Sequence, residues 1–330
     1  MDPIVLPANQ PADRFYRGGA RIAEFRGEPS HGTRVPEDWV ASTTTIAGEE
    51  SLGLTTLPGG AVLRDEVERD PVSWLGAEHV GRFGPDAKLL VKLLDAGQRL
   101  PVHAHPATEF AHQHLARAHG KAEAWFILEA GEVYLGLKEA IHPADLLALV
   151  VGQDIENLLS KMHRRHVEVG DTVYVPPGVL HAIGADTFLA EVQEPEDLSI
   201  LLEWRGFELD GRRDGHLGLG FETALEAVEV RARSDAEISA LITSGARGDS
   251  VLAEASTEFF RLGHYVVDGM LSLKAGFAVL IVTDGSLRLE FGPGRALDLP
   301  RGSTVVVPHS AGPLAVSGPG RLLVCRPPAV

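Results

Sequence analysis

The block Gly170-Asp171-Thr172-Val173-Tyr174-Val175-Pro176-Pro177-Gly178-Val179-Leu180-His181 constrains this chain more than any other stretch of it. It reads as a strand, a Pro-Gly turn and a histidine delivered by the turn. Some seventy residues earlier, Leu100-Pro101-Val102-His103-Ala104-His105-Pro106 sets two histidines at i and i+2. Alternate side chains of a strand share a face, so both imidazoles look into one cavity. Between these segments, Gly120-Lys121-Ala122-Glu123-Ala124-Trp125 runs into the apolar stretch Trp125-Phe126-Ile127-Leu128, a further strand. Three histidines and one glutamate, carried by strand ends and turns, suit a borderline divalent cation such as Zn²⁺.

At 330 residues the chain can hold two domains, or one large β domain with insertions. It contains no uninterrupted apolar run long enough for a transmembrane helix, and Met1-Asp2-Pro3-Ile4-Val5-Leu6-Pro7 has neither the basic leader nor the apolar core of a signal peptide. The single cysteine, Cys325, excludes an intrachain disulfide, and a cytoplasmic location is expected. Thirty basic residues against 46 acidic ones give a formal charge of −16. Such a surface repels phosphate backbones and anionic membranes, so a small molecule is the expected partner and nucleic acid is not. A sugar phosphate would need a local cluster of Lys and Arg to override that field.

Lys88-Leu89-Leu90-Val91-Lys92-Leu93-Leu94-Asp95 is a buried strand from which Lys92 projects, and a charge in that setting requires an anionic partner. Pro36 to Ser42 forms a strand with Trp39 in the core and Glu37 a satisfied polar group. Thr108 to His119 is a short helix whose His112, His114 and His119 compete on paper for a metal, but a helical insertion positions ligands less well than paired strands. From His142-Pro143, apolar residues recur at helical spacing through Met162, predicting a helix pair closed by the cationic run His163-Arg164-Arg165-His166. Beyond a Gly-rich segment at 206–220, Ser234-Asp235-Ala236-Glu237 is a capping box. The last seventy residues break into short β runs, with turns at Asp284-Gly285, Gly292-Pro293-Gly294 and Arg301-Gly302.

The spacing Gly170-x5-Pro176-x-Gly178-x2-His181 resembles the second signature of the cupin β-barrel. Glu123 lies eighteen residues after His105, far later than the first cupin signature puts it. With the intervening Glu109-Phe110-Ala111 and the block Gly120-Lys121-x-Glu123-x-Trp125, this displaced glutamate resembles the type I phosphomannose isomerases. The resemblance implies a mainly β protein of two cupin (jelly-roll) barrels. Residues 1–250 would form the metal-binding catalytic domain, with a helical insertion at about 107–119 and 143–165 packed on its barrel. Residues 251–330 would form a second, degenerate barrel without metal, Gly302-x5-Pro308 echoing the first. It further implies one Zn²⁺ per chain, or another divalent metal, held by His103, His105, Glu123 and His181. Lys121 and Glu191 become the polar groups nearest the reacting carbons, either of which can be the base. Lys92 falls where the family binds phosphate.

The reaction implied is the interconversion of mannose 6-phosphate and fructose 6-phosphate through a cis-enediol, by a monomer or homodimer. Three positions depart from the family pattern. His103 replaces a glutamine and still offers a ligand. Pro101 replaces a phosphate-binding serine, and Leu201 stands where a substrate-facing arginine is expected, with Arg205 four residues on as its substitute. These departures keep open a different, unphosphorylated sugar, and beside it a sugar-binding regulator or an oxygenase-type cupin.

Overall fold

The computed structural model describes residues 1–330 and is mainly β, with every ladder between named strands antiparallel. Three sheets organise it. One has six strands in the order Ile242–Thr243, Thr172–Val175, Glu123–Glu129, Phe188–Gln193, Leu90–Asp95 and Glu37–Val40. A second has five: Ile200–Leu201, His103–Ala104, His181–Ile183, Gly131–Leu137 and Met162–Val167. The eight-stranded third sheet is built around the long strand Ala278–Phe291, and the amino-terminal strand Ile4–Val5 joins it by pairing with Thr304–Val307. No helix is long and apolar enough to cross a membrane.

The period of two explains how the first two sheets present polar groups to each other. On the five-stranded sheet, Val102 and Ala104 flank His103, and Leu180 and Ala182 flank His181. All four flanking residues belong to one apolar cluster with Leu146, Val150 and Leu158 of the helices Pro143–Gly152 and Ile155–Ser160. The helix pair therefore covers the outer face, and the histidines are left to point inward. On the six-stranded sheet, Val91 and Leu93 flank Lys92, Ala190 and Val192 flank Glu191, and Ala122 and Ala124 flank Glu123. These six share the main core, which continues into the third sheet through Val279, Ile281, Leu323 and Cys325. Anchoring each strand by its alternate apolar residues fixes the register, because a slip of one residue would turn every charged group into the core.

Several expectations are corrected here. The run His163 to His166 is not the last turn of a helix. The helix ends at Ser160, and Met162–Val167 is a strand paired with Gly131–Leu137. Its ends are buried and its middle is exposed, so Arg164 and His166 lie on the solvent side of an edge strand while His163 is buried against the Arg233 carbonyl. The helical insertion thus ends before 165, and the helix expected to reach His119 stops at Leu115. Asp284-Gly285 is not a turn between two strands. Residues 278–291 form one strand that bends at a bulge beside Asp284, with Gly285 at φ 73° and the Pro319 carbonyl too close to admit a Cβ. The capping box at Ser234 forms, with both reciprocal hydrogen bonds present.

Candidate metal centre

His103 and His181 face each other across a strand pair, and Glu123 arrives from the opposite sheet. With His105, just past the strand that carries His103, they offer four ligand atoms that all lie within 4.8 Å of one another, every residue buried. Each imidazole is oriented by its other nitrogen. His103 Nδ1 is 2.8 Å from the Pro101 carbonyl, His105 Nδ1 is 2.7 Å from the Leu198 carbonyl, and His181 Nδ1 is 2.8 Å from the Val179 carbonyl. A carbonyl can only accept, so Nδ1 carries the proton in all three rings and the Nε2 lone pairs are turned into the site. That arrangement is the outer-shell support typical of metal-binding histidines.

The protonation states agree with it. Burial, followed by the neighbouring His181 and His105, holds His103 well below its ordinary pKa; burial and Lys121 push His105 down to about 3 against the pull of Glu123. Burial would raise Glu123, but Lys121 and His105 hold its carboxyl well below the usual range. Neutral imidazoles and an ionised carboxylate are the states a divalent cation needs. His181 Nε2 is buried with no hydrogen-bond partner, although Glu123 Oε1 is 3.3 Å away. An acceptor left unpaired in the interior costs about 1–3 kcal/mol, and a metal ion satisfies it. The donor set fits such an ion.

A cavity of about 550 Å³ adjoins this group and is lined by His103 and Glu123 of the four. Lys121 Nζ lies 2.7 Å from Glu123 Oε2 and 2.9 Å from His105 Nε2. Glu191 pairs in register with Lys92 on one side and Trp125 on the other. Burial, with Glu123 adding to it, pushes Glu191 up to about 7 against Lys121 and Lys92, and its Oε1 has no hydrogen-bond partner. Lys92 sits 3.8 Å from both Glu37 and Glu191 and 4.4 Å above the centre of the Trp39 ring. The anionic partner that a buried lysine requires is thus a pair of carboxylates.

Pro101 and Leu201 both line the cavity. Arg205 does not. It lies exposed on the turn after the short strand Ile200–Leu201, and its backbone N–H is held at 3.1 Å by the Gln153 side chain. The turn at Trp204–Gly206 directs it to solvent, so Arg205 does not replace an arginine at position 201. Sequence reasoning missed Arg14, Tyr16 and Arg213, which line the cavity from the amino-terminal segment and the Gly-rich stretch. It also treated Glu37 as a bland polar group, whereas Glu37 lines the cavity and accepts from Tyr16 at 2.5 Å and Trp39 Nε1 at 2.6 Å. The three rival histidines are engaged elsewhere: His119 pairs with Asp86 at 2.7 Å, His112 contacts the Ala118 carbonyl, and His114 stacks on Phe110 with ring centres 4.4 Å apart.

No family model matches the chain. It is 26% identical over 292 residues to the mannose-6-phosphate isomerase of Streptococcus mutans, covering 84% of this chain and 88% of that one. To mannose-6-phosphate isomerase ManA of Bacillus subtilis it is 27% identical over 249 residues, covering 72% and 74%. The crystal structure of the mannose 6-phosphate isomerase from Bacillus subtilis superposes with a TM-score of 0.72 at 21% identity, over 99% of this chain and 100% of the other. Sequence kinship over most of the chain and a shared fold over all of it make this protein a relative of the mannose-6-phosphate isomerases, as the Gly-Lys-x-Glu-x-Trp block implied.

Proposed function

We propose that this protein is a metal-dependent aldose–ketose isomerase, with mannose 6-phosphate and fructose 6-phosphate as its leading pair. The observation that carries the reading is the convergence of three Nε2 atoms and the Glu123 carboxylate from two facing sheets, each ring locked by a carbonyl. His103, His105, Glu123 and His181 would hold the ion, Zn²⁺ first among candidates for an N₃O set. When bound, it supplies a positive charge for the oxygens of C1 and C2 as negative charge develops on them.

The chain's own groups do the rest. A base removes the proton from C2 and returns it to C1, while the hydroxyl proton of O2 passes to O1, so nothing is gained or lost. Glu191 suits the first role: it is buried, its Oε1 accepts no hydrogen bond and meets Lys92 only at 3.8 Å, and its pKa of about 7 lets it take and release a proton near neutrality. Lys121 stays protonated, because Glu123 and Glu191 raise its pKa against the effect of burial, and it would steady the oxyanion. Lys92 would bind the sugar from beside Glu191, with Trp39 closing the wall behind it. We assign the fold to two cupin barrels, the catalytic one in 1–250 and a second in 251–330, with Ile4–Val5 lent to the latter.

The test is metal analysis joined to turnover. Purified protein should carry about one divalent ion per chain and interconvert mannose 6-phosphate and fructose 6-phosphate. Glu123→Gln should lower metal affinity about a hundredfold or more and abolish turnover. Unchanged metal content in that variant would remove the site from where we put it.

A further inference from the structure

The cavity shows an imbalance of charge that bears on which sugars it can take. Eight carboxylates line it: Asp13, Glu37, Glu123, Glu191, Asp197, Glu208, Asp210 and Asp214. Against them stand four cations besides the divalent ion that Glu123 would hold, and each of the four already faces a carboxylate of the same lining. Arg14 is 3.4 Å from Glu37, Lys92 is 3.8 Å from Glu37 and Glu191, Lys121 is 2.7 Å from Glu123, and Arg213 is 2.8 Å from Asp214. The imbalance is greatest at the mouth, where Asp13, Glu208, Asp210 and Asp214 are exposed; Arg34, from outside the lining, lies 3.3 Å from Asp13 and 3.8 Å from Glu208, and Arg213 faces Asp214. Between mouth and floor the wall includes Leu100, Pro101, Ile183 and Leu201, which offer no side-chain donor.

A hexose whose C1 and C2 lie between the histidines and Glu191 extends its far end toward that mouth. A dianionic group there would meet four carboxylates and two arginines, Arg34 and Arg213, that are already engaged with three of them, in a protein of net charge −16. Charge-assisted contacts, each worth about 1.5–3 kcal/mol, are what make a phosphate a strong handle, and no unengaged cation lines the cavity to make them. Remote binding energy that is not realised cannot be used to favour the phosphorylated substrate at the reacting carbons. The free sugar, which has only hydroxyls at that end, loses nothing in the same cavity.

We propose that the site also isomerises unphosphorylated aldoses, with kcat/KM for a free hexose within tenfold of that for its 6-phosphate. This rests on the isomerase reading above and names a further activity of the same site. Two features follow. Raising ionic strength should increase kcat/KM for the 6-phosphate, by screening the acidic mouth, and leave the free hexose unaffected. Asp214→Asn, which releases Arg213, should shift the ratio severalfold toward the 6-phosphate.

The experiment measures kcat/KM for mannose and mannose 6-phosphate on the metal-loaded protein from low to high salt. In parallel, titration calorimetry with a hexitol and its phosphate, which bind without reacting, compares affinity directly. A preference for the phosphorylated compound of tenfold or less in both, ~1.4 kcal/mol, is expected. A larger preference, or one that falls with salt, overturns the inference and leaves the isomerase reading standing. Absence of turnover with either sugar overturns both. Leu201→Arg supplies a second check: with a cation placed in the wall, the ratio should move toward the 6-phosphate by tenfold or more. If Leu201→Arg does not fold, Asp214→Asn, an exposed position, decides alone, and no shift there overturns the argument from charge.

Discussion

Replacing Glu37 by alanine removes one buried acceptor on which four groups depend. Tyr16 donates to it at 2.5 Å and Trp39 Nε1 at 2.6 Å, while Arg14 at 3.4 Å and Lys92 at 3.8 Å neutralise it. Glu37 is 4% exposed and Lys92 the same, so solvent cannot stand in for the lost carboxylate without rearrangement. Each stranded donor costs about 1–3 kcal/mol, and breaking a buried pair from one side costs about 3–5 kcal/mol. These terms overlap because they describe one network, and the adjoining cavity can admit water, so about 3 kcal/mol is the expected loss. Urea unfolding of chelator-treated protein at neutral pH measures it without the metal's own contribution.

Acid gives an independent reading of the same network. Burial would raise the Glu37 pKa, but Arg14, Lys92 and the bonds from Tyr16 and Trp39 hold it well below the carboxylate range. A carboxyl whose folded pKa is depressed contributes stability above its unfolded pKa, about 4.3, and loses that contribution as pH falls toward the folded value. The gap between wild type and Glu37→Ala should therefore hold from pH 8 to about 5 and narrow only below 4. A cost under ~1 kcal/mol at neutral pH, or a gap that widens in acid, would refute the network.

Glu191→Gln keeps the shape and loses the base, so kcat should fall about 10²–10⁴-fold while the metal stays bound. The wild-type rate should decline as pH drops through about 7, where Glu191 takes up its proton, or through a lower value if the bound cation draws its pKa down. A rate that is flat from pH 8 to 5 would assign the proton transfer to another group. His181→Ala should lose metal by elemental analysis, since it removes a ligand whose Nε2 no hydrogen bond satisfies; retained stoichiometry would exclude it. Arg205→Ala should leave both kcat/KM and stability within about 0.5 kcal/mol, the scale of an exposed substitution, as kinetics and urea melts will show.

What the sequence disclosed follows the distance over which each device acts. The His-x-His pair and the Pro-x-Gly-x2-His turn are local, and the strand period alone says where their side chains go. Glu123 needed a resemblance, because its neighbours do not say which sheet it reaches from. His163 to His166 misled because cations ending an apolar helical run and cations on an edge strand read alike until the partner strand Gly131–Leu137 is known. Arg205 failed for a similar reason: four residues along a strand end cover enough distance to round a turn, and only the Gln153 bond reveals that the chain has done so. Arg14 and Tyr16 carried no signal at all, their roles being created by an acceptor 21 or more positions away.

The two sheets support the four ligand residues by different means. His103 and His181 are held from behind by the helix pair, through Val102, Ala104, Leu180 and Ala182, and their tautomers by carbonyls within their own strands and turns. Nothing in that support passes through Pro101's ring or the Leu201 side chain. Lys92, Glu191 and the fourth ligand residue, Glu123, hang on the other sheet, whose alternate residues lock into the main core. Leu201 pairs in register with His103 on the same sheet, so Leu201→Arg is read together with metal content, whereas Asp214→Asn at the exposed mouth changes charge without touching a ligand strand. The charge at the mouth is therefore the part of this site that can be altered without disturbing the strands that carry the ligands.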